Sequence, residues 1–181
     1  MLAPIYDRVI RPPDPARLKV AAALPADGRM LDAGGGTGRI ARLLDGCADQ
    51  IVLADASRQM LTQARTLDLE GVASYTQALP FPDGAFQRII TVDAYHHLSH
   101  QKESLREFCR VLAPGGRLVI EEPDIRQFPV KVLALMEKLA LMQSHFVSAE
   151  KMADSLLKLG ARVTIEREGH NVWVIADKPE A

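Results

Sequence analysis

Four glycines, Gly34, Gly35, Gly36 and Gly38, occupy four of the five positions directly behind the short run RMLDA, residues 29–33. Glycine reaches backbone conformations that a Cβ forbids, so such a loop turns sharply and brings main chain close to a ligand. A triphosphate loop needs Lys and then Ser or Thr after its last glycine. Here Gly38 is followed by Arg39 and Ile40. The dinucleotide fingerprint GxGxxG fails as well: counted from Gly34 its sixth position is Arg39, and counted from Gly35 its third is Thr37. Asp55 ends the next apolar run, QIVLAD, about 20 residues past the loop, where a carboxylate can accept hydrogen bonds from both ribose hydroxyls. The alternative for Asp55 is a solvated strand end. The loop and Asp55 together predict a nucleoside pocket without a diphosphate site.

The rest of the chain alternates strand and helix. RMLDA, QIVLAD, VASYTQ, RIITVDA and RLVIEEP read as five strands. Between them lie helices over Thr37–Leu44, over SRQMLTQARTL with Met60, Leu61, Ala64 and Leu67 on one face, and over Ser99–Leu112. An earlier helix is capped by Asp14, opened by Pro15 and stopped by Pro25. LPFPDGAF, with two prolines and Asp-Gly, reads as loop. After two further helices, within Val130–Met142 and Ser148–Leu159, come RVTIERE and NVWVIAD. Only Gly169 and His170 separate these two, too few for a helical crossover, so they should form an antiparallel hairpin at the sheet edge. The expected fold is α/β: a Rossmann-like, mostly parallel sheet with a C-terminal antiparallel hairpin and helices on both faces. A single domain over residues 1–181 is expected, with residues 1–25 as an N-terminal cap and 124–147 as a short lid.

Lys and Arg number 22 against 23 Asp and Glu, a net charge of −1, which gives no electrostatic case for a nucleic-acid partner. No apolar run approaches the roughly 18 residues of a membrane span, and the N-terminus lacks the apolar core of a secretory signal. Cys47 and Cys109 form no CxxC pair and read as free thiols. A cytoplasmic chain without nucleic-acid or membrane partners is expected.

Four blocks in order, LDAGGGTG, LADAS with Met60 and Leu61 following, LPFPDGAF, and VDAYHHL leading through LREFCRVLAPGGRLVIEEP, resemble the class I S-adenosylmethionine (SAM) dependent methyltransferases. The likeness is to their small-molecule branch, which includes C-methyltransferases of ubiquinone and menaquinone synthesis. It covers roughly residues 30 to 123 and implies SAM as cofactor, S-adenosylhomocysteine (SAH) as its product, and a small apolar or aromatic methyl acceptor. It further implies that Gly34, Gly35 and Gly36 pass under the methionine part and that Asp32 faces the cofactor's ammonium. Asp55 would hold the ribose diol, with Ala56 and Met60 against ribose and adenine. Gln77, Ala78 and Leu79 would border the adenine, and Asp93 would lie near the methionine end. Helix core is the alternative for Met60. Two departures stand out. Tyr75, Thr76 and Gln77 offer no carboxylate where relatives often carry one for the adenine amino group, so Gln77 or Thr76 would have to accept instead. Gln87 stands where relatives often have aspartate, and reads as structural.

YHHLSH places His96, His97 and His100 within five residues, and His96 with His100 would share a helical face as metal ligands. The stretch leaves a strand and crosses a turn, however, and no further ligand is evident, so no metal is expected. His97 is the candidate base for a phenol or enol acceptor, with a structural role in the turn as its alternative. Glu122 is the second candidate, and Glu121 and Glu122 otherwise read as a solvated strand end. The helix Val130–Met142, apolar on more than one face, fits a substrate pocket, a homodimer contact or core equally well. Two further readings stay open: a SAM-binding protein without methyl transfer, and an NAD-type oxidoreductase.

Overall fold

The computed structural model describes residues 14–65, 69–139 and 144–180. In chain order its elements are α1 Pro15–Ala21, β1 Arg29–Ala33, α2 Arg39–Leu43, β2 Gln50–Asp55, α3 Arg58–Arg65, β3 Glu70–Ala73 and β4 Phe86–Val92. A 3₁₀ turn, Tyr95–His97, precedes α4 Gln101–Val111, β5 Leu112–Pro123, α5 Phe128–Leu139, α6 Ala149–Lys158, β6 Arg162–Glu168 and β7 Asn171–Asp177. The Asp14 carboxylate accepts from the Ala16 N–H at 3.0 Å with Pro15 in the first turn, so α1 begins as its capping residues dictate. Ser148 caps α6 in the same way.

One seven-stranded sheet results, in the order β3-β2-β1-β4-β5-β7-β6. The first five strands in sequence pair in parallel; β7 runs antiparallel to both β5 and β6. The expected hairpin is present, and β7 rather than β6 joins the parallel sheet. Loops at the C-terminal ends of β1, β2 and β4 gather on one edge, where the order reverses between β1 and β4, the place an open α/β sheet leaves for a ligand.

The strands carry two-sided burial. Leu31, Val52, Ile89, Leu118 and Ile120 face α4 and α6, where Leu105, Phe108, Met152 and Leu156 meet them. Met30, Ile90, Val119, Trp173 and Ile175 face the other way, under Leu18 and Ala21 of α1 and Ile40 of α2. On that face Leu61 and Ala64 of α3 pack on Leu53 and Ala41.

Several details differ from expectation. The third strand is Glu70–Ala73, not Val72–Gln77: Thr76 turns inward, and its hydroxyl meets Ser104 Oγ at 2.8 Å. Helix α4 stops at Val111, and β5 starts at Leu112, so the APGG stretch enters the long fifth strand instead of forming a separate turn. Met60 is 44% exposed while Leu61 and Ala64 are buried, which takes it off the core face. On α5, Val130 is buried but Phe128, Val132 and Leu135 are exposed, so that face is not core. Residues 140–142 of the expected helix, Leu67, and residues 1–13 of the expected cap, Tyr6 included, lie outside the described residues.

Gly38 caps α2 with a φ of 79°, and a Cβ there would stand 2.4 Å from Leu69 Cδ1 and 3.2 Å from Leu53 Cδ2. It supplies the close helix-to-strand approach that the third glycine of a dinucleotide loop would give, one position earlier. Gly38→Ala is expected to lower stability by about 1–3 kcal/mol, from left-handed strain plus crowding. An unchanged denaturant midpoint would contradict this packing.

Candidate functional site

The glycine loop is fixed from beneath and from the side. Gly34 N–H donates to the Ala54 carbonyl at 2.7 Å, and Gly34 has a φ of 75°. Gly36, with a φ of 56°, donates its N–H to Asp55 Oδ2 at 2.9 Å, while Asp55 Oδ1 accepts from Ser57 N–H at 2.7 Å. One carboxylate at the end of β2 therefore ties the loop after β1 to the loop after its own strand. Each oxygen keeps a second lone pair for a diol. Among the described residues a Cβ on Gly36 would meet nothing nearer than Asp55 Oδ2 at 4.0 Å, so none of them fills the space above the loop beside this carboxylate. Asp55 is half-buried, and Ala56 and Met60 are exposed at its rim.

Asp32, at the end of β1, is 1% exposed, and its Oδ2 has no hydrogen-bond partner among the described residues. It lies directly under the loop: a Cβ on Gly35 would stand 2.8 Å from its carboxyl group. Burial pushes this carboxyl up to about 7; the Ala41 backbone pulls it down, the Asp55 charge adds to the rise and Arg39 opposes it. A buried acid with an unused oxygen beneath an open glycine cradle suits a cationic ligand group.

Beyond the loop, Gln77 is half-buried with Nε2 3.3 Å from His100 Nδ1; Ala78 is exposed. Leu79 is buried in the core, its N–H donating to Glu107 Oε2 at 2.9 Å. Of the two substitutes for a missing adenine acid, Thr76 is committed to Ser104 and only Gln77 stays at the rim. Arg110 clamps the LPFPDG loop, donating to the carbonyls of Phe81 and Leu79 and to Asp83. Gln87 accepts from Arg29 N–H at 2.8 Å under Gly28, a structural role as expected.

The end of β4 is built by Glu122. Its carboxylate accepts from the N–H groups of Ala94 (3.0 Å), Tyr95 (2.7 Å) and His96 (3.3 Å), and meets His96 Nδ1 at 2.5 Å. His96 is fully buried and stacks on Phe146, ring centroids 4.4 Å apart. Glu122, 4% exposed, thus fastens the turn, and neither it nor Glu121, 2% exposed, is a solvated strand end. Sequence reasoning missed both burials. Among the described residues no group of three His, Cys, Asp or Glu could hold a metal. His97, in contrast, is exposed on the same turn, its Nδ1 3.3 Å from Ser144 Oγ. Asp93 follows β4 with a φ of 51°, its N–H donating to the Glu121 carbonyl at 2.9 Å.

Because Asp32 titrates near 3.8 when unfolded and about 7 when folded, the folded chain holds a proton between these values that the unfolded chain has lost. That stabilisation is full below about pH 4 and is lost as pH rises through about 7. The thermal midpoint of the cofactor-free protein is expected to fall from about pH 5 to about pH 8, and Asp32→Asn to flatten the fall. An identical slope in the variant would contradict the burial of this charge.

Comparison with known proteins meets this geometry. Residues 31–120 match the family described as "Methyltransferase domain". The ubiquinone/menaquinone biosynthesis C-methyltransferase UbiE of Pseudomonas savastanoi is 40% identical over 105 residues, which are 52% of this chain and 41% of that protein. This chain thus spans about two-fifths of the length of such curated relatives. A SAM-dependent methyltransferase from Aquifex aeolicus shares the fold with a TM-score of 0.72 at 19% identity, over 97% of each chain. The [4+2]-cyclase SpnF shares it with a TM-score of 0.76 at 18% identity, over 92% of this chain and 80% of that one. The cradle above Gly36, the Asp32 oxygen left unpartnered by the described residues and the family match agree: residues 31–120 carry a methyltransferase domain, and the chain resembles the class I methyltransferases, whose cofactor is S-adenosylmethionine.

Proposed function

We propose that this chain transfers the methyl group of SAM to a small apolar or aromatic acceptor, a phenol, quinol or enol. The arrangement of Asp55 with the glycine loop carries this reading, because it leaves an open cradle between two carboxylates. Gly34–Gly36 would receive the methionine part, Asp32 its ammonium and Asp55 the ribose diol. Ala56 and Met60 would cover ribose and adenine, with Gln77 and Ala78 at the adenine edge, Leu79 behind them in the core, and Asp93 near the methionine end. Bound SAM supplies an activated sulfonium methyl. What remains for the protein is to hold the acceptor in line with it, to exclude water and to remove a proton where the acceptor keeps one. His97 is exposed at the mouth beside Ser144 and would take that proton. Lid residues reach the same turn: His145 N–H donates to the His96 carbonyl at 2.7 Å, and Gln101 Nε2 to the His145 carbonyl at 2.7 Å. The acceptor class follows from the likeness to UbiE and from the exposed apolar side chains of α5, Phe128, Val132 and Leu135. A second reading, SAM binding without methyl transfer, draws support from the same fold in a [4+2]-cyclase.

Label transfer from methyl-labelled SAM to catechol, 1,4-naphthohydroquinone and simple enols tests the proposal directly. Methylation of one class supports it; saturable SAM binding with no transfer to any class favours the second reading. Asp55→Ala is expected to weaken SAM binding by about 1–3 kcal/mol, the scale for hydrogen bonds to a charged group. Unchanged affinity in a folded variant would mean that the carboxylate serves only the two loops. His97→Ala is expected to lower turnover about 10²–10⁴-fold, with SAM affinity nearly constant and the rise of rate through neutral pH lost. Full turnover in this variant would remove His97 from the chemistry.

A further inference from the structure

The side chains of β5 alternate, so the adjacent Glu121 and Glu122 face opposite sides of the sheet. Glu122 is consumed by the turn after β4. Glu121 lies on the α1 and α2 side, in one cross-strand row with Val92, Trp173 and Glu166. Asp32 belongs to the row just below, with Ile90, Val119 and Ile175. Glu121 is 2% exposed, and among the described residues no hydrogen bond to its carboxyl group is seen. The charged groups around it are Asp93 past β4, Arg39 of α2, and Glu122 behind it on its own strand. From α1, Arg17 lies over Trp173 at 5.1 Å and is paired with Glu166 of β6, so its charge is already answered. Two buried polar atoms on this face lack partners among the described residues, Asp32 Oδ2 and Trp173 Nε1. Among the described residues, the region between the glycine loop and the end of β5 therefore holds more carboxyl groups than cations.

We propose that Glu121 is a specificity-determining residue that reads the charge of the cofactor's sulfur, favouring the sulfonium of SAM over the neutral thioether of SAH. The inference rests on the proposed placement of the methionine part over Gly34–Gly36 and Asp93, which carries the sulfur toward the end of β5. Burial, together with the Glu122 and Asp93 charges, holds the Glu121 carboxyl well above the usual carboxylate range, and Arg39 opposes the rise. A fixed positive sulfur favours its ionised form, and by linkage the proton and SAM weaken each other's binding by one common factor. Because SAH carries the same ammonium, Asp32 responds alike to both ligands; the difference between them reports on the groups beside the sulfur, among which the Glu121 variants single out Glu121. Such discrimination would clear the spent cofactor from the site after each methyl transfer.

Calorimetric titration with SAM and with SAH, each in buffers of different ionisation heat and from about pH 6 to about pH 8, counts protons as well as affinity. The parent is expected to release more protons on binding SAM than SAH, and its SAM:SAH preference should rise with pH. Glu121→Gln should lower that preference roughly tenfold and flatten its pH trend, with SAH affinity kept within about twofold. Glu121→Asp, which restores the charge, should recover most of the preference. The chain's one tryptophan, Trp173, is the cross-strand neighbour of Glu121, so its fluorescence should report the Glu121 titration in the free protein and lose it in the Gln variant. Equal proton release for the two ligands in the parent overturns the proposal even if the Gln variant does not fold. An unchanged SAM:SAH ratio in a folded Gln variant overturns it too. Failure of the parent to bind either ligand is a different result: it overturns the cofactor reading itself, and this inference with it.

Discussion

The Asp55 carboxylate is the joint on which the ligand edge of this sheet depends. Its two oxygens hold Gly36 N–H at 2.9 Å and Ser57 N–H at 2.7 Å, fixing the loops that leave β1 and β2 in one arrangement. Without that bridge, a loop with four glycines in five positions has little to choose one conformation over many, since glycine loses the most freedom on folding. The Gly34 N–H bond to Ala54, 2.7 Å long, and the positive φ angles of Gly34 and Gly36 then shape a concave backbone surface. Asp32 lies under that surface with an oxygen to spare. The sheet supplies the platform, but a carboxylate at the end of one strand makes it a site.

A second carboxylate does comparable work three strands away. Glu122 collects three backbone N–H groups and the His96 ring, and so closes the turn that presents Asp93 and His97. Placing a charge there is costly unless it is fully hydrogen-bonded, and removing it would strand three buried donors. Its neighbour Glu121 has no such company. Period-two alternation gives two identical residues opposite fates: one is structural, and the other is left as a charge-sensitive group on the cofactor side.

Much of the architecture was legible in the sequence because parallel strands, buried on both faces, read as continuous apolar runs. RMLDA and QIVLAD coincide with the parallel β1 and β2; RVTIERE and NVWVIAD coincide with the antiparallel β6 and β7, whose hairpin the two-residue gap at Gly169 and His170 announced. The third strand was misplaced because Tyr75 and Thr76 have strand-like side chains, whereas the Thr76 hydroxyl finds its partner on a distant helix at Ser104. The burial of Glu121 and Glu122 was illegible for a related reason. Local composition says "polar strand end", and only the neighbours brought by β4, α6 and β7 decide whether water reaches it. His96 looked like half of a metal pair; its partner is Glu122, 26 residues on. Gly38 was passed over because the loop was tested against a fixed spacing, while the packing need that the spacing encodes is met one residue earlier. Met60 fell on the predicted apolar face by spacing alone, but α3 presents only Leu61 and Ala64 to the sheet.

The central claim is that the edge formed by the loops after β1, β2 and β4 is a SAM site and not a dinucleotide site. Titration calorimetry of the whole chain with SAM and, separately, with NAD tests it most directly. Saturable, one-to-one binding of SAM with no heat from NAD is the predicted result. Tight binding of NAD with no response to SAM would contradict the account.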